Sequence, residues 1–101
     1  MASAEIDSKL GKRIRISDSY WDYIVRVKHR EMSTLKDEVI WTLKHPFEVL
    51  RSRKDPEIHL YYGHHRDKFL CVVVRHLNGE GFIITAYLTR KFGEGDVVWK
   101  G

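Results

Sequence analysis

The sequence predicts an α+β fold, with two N-terminal helices packed on one face of a four-stranded antiparallel sheet. Three observations carry this. Up to Pro46 the apolar residues recur at helical spacing, and beyond it they alternate or run together as in strands. Turn signals separate the strand-like runs at short intervals. Helices come first and strands second, which is the order of an α+β chain rather than of alternating βαβ units. At 101 residues the chain forms one domain with enough core to fold without metal or disulfide staples.

Residues 1–12 show no sustained period and are expected to form a flexible N-terminal segment, leaving 13–101 as the domain. Ile14 and Ile16 alternate with Arg13 and Arg15, as in a short strand. Ser17 is placed to cap a helix, with Asp18 in its positively polarised first turn. Trp21, Ile24, Val25 and Lys28 follow at helical spacing, and the helix should end around His29–Met32. Thr34 with Asp37 three residues later resembles a capping box for a second helix, whose stripe is Leu35, Val39, Ile40 and Leu43. Pro46 biases His45 out of the helical region and ends it.

Four strands are then expected: Phe47–Leu50, Ile58–Tyr62, Phe69–Leu77 and Phe82–Thr89, with a short tail at Val97–Trp99. In the last of the four, Phe82, Ile84, Ala86 and Leu88 would meet the helices. Thr85, Tyr87 and Thr89 would line the other face. An even-length turn at Asn78–Gly81 would put Arg75 beside Phe82 among apolar residues, where an unpaired charge is very costly. We therefore expect an odd loop or a β-bulge, with Arg75 on the Thr85 face.

The composition is 43% hydrophobic and 32% charged, with a net charge of +4. Residues 1–50 hold nine Lys/Arg against eight Asp/Glu, and residues 51–101 hold nine against six. The excess therefore lies with the strands and permits an anionic partner. The single cysteine, Cys71, excludes an internal disulfide and reads as a small buried hydrophobe. No apolar segment suits secretion or a membrane span of ~20 residues, so the expected location is cytoplasmic, with no membrane partner.

Three groups of residues bear on chemistry. The row Thr85, Tyr87, Thr89 suits hydrogen bonding to phosphate or base edges, although a solvated outer face would use the same residue types. Tyr61 and Tyr62 lie close to Arg51, Arg53 and Lys54, and cations beside aromatic platforms recur in single-strand binders. His29 and His45 each close a helix, where the dipole favours a protonated imidazole, although dipole pairing alone would explain them. Glycine-rich phosphate loops, HExxH, CxxC and GxSxG are absent, and the carboxylates are scattered. No metal and no cofactor is expected.

Three stretches, IRISDSYWDYIVRVKHREM, KDEVIWTLKHPFEVLRSRKDPEIHLYY and KFLCVVVRHLNGEGFIITAYLT with the closing VVW, resemble small prokaryotic and phage proteins. These are assigned to the barnase–EndoU–colicin–RelE-like nuclease superfamily, and the resemblance spans about residues 13–99. It implies helices before a four-stranded antiparallel sheet and a metal-independent endoribonuclease, a toxin of a toxin–antitoxin or phage-related system. Relatives often carry a histidine two residues after the helix tryptophan, where this chain has Tyr23. On that reading His29 does acid–base work and Arg53, with Arg51, stabilises charge. Thr85 and Thr89 hold phosphate oxygens, and Tyr61 or Tyr62 stacks on a base. Lys54, Arg75 and Tyr87 complete the RNA contacts. RNA and an antitoxin protein are the implied partners. The alternative is a non-catalytic RNA- or protein-binding module on the same scaffold.

Overall fold

A computed structural model describes residues 3–93 and 95–101 of the chain. The sheet has seven strands, not four, and is mixed rather than antiparallel. Its strands are β1 Ser3–Asp7, β2 Arg13–Ser17, β3 Glu48–Arg51, β4 Ile58–His65, β5 Lys68–Leu77, β6 Glu80–Thr89 and β7 Asp96–Lys100. They lie in the order β1-β2-β6-β5-β4-β3-β7. The four expected strands form the antiparallel centre, β3 to β6. The correction comes from the flanks. β1 pairs with β2, β2 runs parallel to β6, and β7 adds to the far side of β3. Residues expected to fray thus include an edge strand, held by Ile6, which is buried in the core.

Ser17 caps the first helix, α1 (Asp18–Tyr23), its hydroxyl accepting from the Tyr20 N–H at 3.2 Å. The chain then widens into a π-helical turn, Ile24–Lys28, and tightens into a 3₁₀ turn, Arg30–Met32. The second helix, α2 (Lys36–Lys44), starts after Leu35 without a side-chain cap, so Thr34 does not perform the capping expected of it. Here the 3₁₀ turn supplies the entry geometry, with the Leu35 N–H bonded to the Met32 carbonyl at 3.0 Å. The helix ends at His45, before Pro46, as the proline requires.

The helices cover one face of the sheet. Trp21, Ile24, Met32, Leu35, Val39 and Leu43 pack on Ile14, Ile16, Tyr61, Val72, Val74, Ile83 and Ala86. The second face carries a smaller cluster, Leu50, Leu60, Tyr62 and Cys71, flanked by Phe47, Ile58, Phe69, Val73 and Tyr87. The chain after β6 crosses this face on its way to β7. Phe92 stacks on Tyr62 at 4.3 Å, and the Gly93 N–H donates to the Tyr62 hydroxyl at 2.6 Å.

Candidate functional site

A single irregularity in β6 decides which side chains face which way. Val73 pairs with Thr85, but Val74 pairs with Ile83, so Ile84 is an extra residue opposite the β5 ladder. This bulge reverses the alternation. Ile83, not Ile84, packs with Ala86 against the helices. Phe82, Thr85 and Tyr87 come to share the second face with Val73 and Cys71. Arg75, two residues from Val73 on β5, lies on that face too. The hairpin itself is a two-residue turn at Asn78-Gly79, so the odd residue sits within the strand and not in the loop.

The bulge also exposes a backbone acceptor. β2 pairs with β6 only from Glu80 to Phe82, which leaves the later part of β6 with an open edge. The segment after Ser17 lies along that edge. The Tyr20 hydroxyl donates to the Ile84 carbonyl at 2.7 Å, and Lys28 Nζ approaches the same oxygen at 3.4 Å. One residue later the π-helical turn ends at His29, whose N–H bonds back to the Ile24 carbonyl at 2.8 Å. The His29 ring then sits 5.5 Å from that of Tyr87, tilted by 39°. Glu31 Oε2 lies 3.7 Å from its Nδ1.

An imidazole and a phenol therefore meet at β6, two residues along the same face from the Thr85 hydroxyl. Burial, and then the neighbouring Cys71, hold the Tyr87 phenol well above its usual range, so it stays protonated and is a donor. Burial also pushes the Cys71 thiol up to about 11, making it inert as a nucleophile. Thr85 Oγ1 is buried and, among the described residues, has no hydrogen-bond partner. Buried polar atoms are usually satisfied, so an orphaned hydroxyl two residues from this pair marks a place for a ligand atom.

The other residues expected at this site are placed elsewhere, each for a visible reason. Tyr61 and Tyr62 are fully buried, so neither offers a ring face to a base. Tyr61 bonds Ser8 at 2.9 Å within the helix-side core, and Tyr62 is closed over by Phe92 and Gly93. Burial drives both phenols up to about 12. Arg53 is held by Asp96 at 3.0 Å. Arg75 shares the second face but reaches away to Glu57 at 2.6 Å and Asp55 at 3.3 Å. Thr89 closes a local turn with Lys91, accepting its N–H at 3.1 Å and donating to its carbonyl at 3.0 Å. Lys54 is exposed in the β3–β4 connection. Arg51 pairs with His59 and lies on the helix face of the sheet.

A cation that does arrive is Lys28, whose ammonium also sits 5.7 Å from the centre of the Tyr23 ring. Helical spacing assigned Lys28 to the packed stripe by its stem, and nothing local marks its head as reaching a strand edge. Among the described residues no group of three His, Cys, Asp or Glu could hold a metal ion. No helix there is long and apolar enough to cross a membrane. Set against family models, curated proteins and solved structures, the chain matches none.

Proposed function

We propose that the protein is a metal-independent endoribonuclease whose reacting phosphate lies over Thr85 and Tyr87, with His29 as the base. The observation that carries this reading is the approach of the His29 ring to Tyr87, two residues along the same face of β6 from the Thr85 hydroxyl, which is unpartnered among the described residues. The 2′-oxygen of the substrate attacks the adjacent phosphorus as His29 takes its proton, and the bond from phosphorus to the 5′-oxygen breaks. The departing oxygen takes the Tyr87 proton, and the imidazolium returns a proton to the phenolate to restore the site. Thr85 donates to a non-bridging oxygen. Lys28 assumes the charge-stabilising role that the resemblance implied for Arg53, because Arg53 and Arg75 are engaged by carboxylates. The toxin setting rests on the family resemblance alone.

The test is incubation of end-labelled RNA with the protein in EDTA, beside the same oligonucleotide carrying a single 2′-deoxy sugar at the cleaved position. The expected result is a 2′,3′-cyclic phosphate end on the RNA and no cleavage at the deoxy position. Cleavage at the deoxy position would exclude 2′-hydroxyl attack. A second reading, a binding module without catalysis, is favoured by the ion pairs that hold Arg53 and Arg75 away from His29. Retained RNA binding with no cleavage under these conditions would select it.

A further inference from the structure

On the helix face of the sheet, at the end opposite the β4–β5 turn, lies an open cleft of about 550 Å³. Its lining includes Lys12, Arg51, His59 and His76. The two imidazoles stack on each other with centroids 3.8 Å apart and planes within 15°. Both residues are largely buried, at 9% and 7% exposure. Among the described residues, neither Lys12 nor Arg51 forms an ion pair, although Lys12 Nζ donates to the Asn78 carbonyl.

The hydrogen bonds around the pair fix which ring nitrogens are free. His59 Nδ1 lies 3.3 Å from the Glu57 carbonyl, which only accepts, so this nitrogen carries the proton. Nε2 of the neutral ring is then a bare lone pair. The Tyr61 hydroxyl donates to Ser8 Oγ at 2.9 Å, so His76 Nε2, 3.0 Å from Tyr61, is the donor in that contact. His76 Nδ1 is the second bare lone pair. The cleft thus combines two cations with two hydrogen-bond acceptors.

We propose that this cleft binds a phosphate group that still carries a proton, either inorganic phosphate or a monoester on a nucleotide. Lys12 and Arg51 neutralise its charge, and its own P–O–H donates to an imidazole lone pair. An oxyanion without a proton offers the imidazoles only repulsion between lone pairs. The pair stays neutral because burial, the neighbouring imidazole and Lys12 lower His76 to about 3. Burial, Arg51 and Lys12 likewise lower His59, against the Glu57 carbonyl. The remaining charged group at the cleft, the Glu57 carboxylate, is held by Arg75 at 2.6 Å. Tyr61, driven up to about 12, stays uncharged. The site is independent of the one at Thr85 and lies on the other face of the sheet.

The test is a histidine side-chain NMR titration at pH 6.0 with inorganic phosphate, a nucleoside 5′-monophosphate and sulfate, at matched ionic strength. At that pH about half of a monoester still carries a proton. The His59 and His76 resonances should move with at least one phosphate ligand, and sulfate should bind at least tenfold more weakly. Whichever phosphate binds tighter identifies the source. Lys12→Gln combined with Arg51→Gln, both outside the packed core, should weaken binding at least tenfold while the spectrum remains that of a folded protein. Sulfate binding as well as phosphate, no response to either phosphate, or undiminished binding by the double variant would overturn the proposal.

Discussion

Thr85 Oγ1 is enclosed without a partner among the described residues, and the folded protein bears the cost of desolvating it. Thr85→Val removes that hydroxyl and nearly keeps the shape of the side chain. The variant should therefore be as stable as the wild type or up to about 1 kcal/mol more stable. Denaturant unfolding measures this. RNA cleavage should fall by about tenfold or more in the same variant, because the lost donor acts on the transition state. Unchanged cleavage would make Thr85 strand filler. Tyr62 gives the opposite pattern. Tyr62→Phe leaves the Gly93 N–H without its acceptor and should cost about 1–2 kcal/mol while leaving RNA affinity intact. A loss of affinity without a loss of stability would restore Tyr62 to the stacking role that its local sequence suggested. Two adjacent tyrosines beside cations look the same in sequence whether they face water or two cores. What buried them here was coverage by Ser8 on one side and Phe92 on the other, contacts 53 and 30 residues away in the chain.

The elements that were legible in the sequence are those whose signals are local. Pro46 and Ser17 bound helices where they should, and β3 to β6 appear where apolar runs alternate with turn residues. β1 was not legible because SAEID places a single large apolar residue, Ile6, in the core. β7 depends on a crossing of the second face that no local pattern encodes. The bulge at Ile84 was anticipated only through the cost of burying Arg75, and its position within the strand was not. A further element-scale feature is the approach of α2 to β4. A Cβ on Gly63 would lie 2.5 Å from Thr42 Oγ1 and 3.1 Å from its Cγ2. Thr42 is a short, branched, buried side chain with little room to yield, so Gly63→Ala should cost about 1–3 kcal/mol through overpacking. Thermal unfolding would check this, and a variant as stable as the wild type would mean that α2 sits farther from the sheet.

Across the whole molecule, charge and protonation set the response to solution conditions. His76 is lowered to about 3 in the folded protein, against an ordinary value of 6.5, and His59 is lowered as well. The unfolded chain therefore takes up these protons first as pH falls. The stability that the neutral pair contributes is fully present above about pH 6.5 and is lost progressively toward pH 3. Unfolding free energies measured between pH 4.5 and 7.5 should rise with pH, and a flat profile would mean that the pair is accessible to protonation in the folded state. RNA affinity should fall with salt. If three or four phosphates are contacted, log K against log salt should have a slope of about −2 to −3. Proton transfer on RNA by His29 beside Tyr87 is tested by single-turnover RNA cleavage in EDTA, comparing wild type with His29→Gln. Both proteins should unfold alike and bind RNA alike, with the variant about 100-fold slower or more, the usual loss when a general base is removed. Equal rates, or a folded wild type that binds RNA and leaves it intact, would contradict the account.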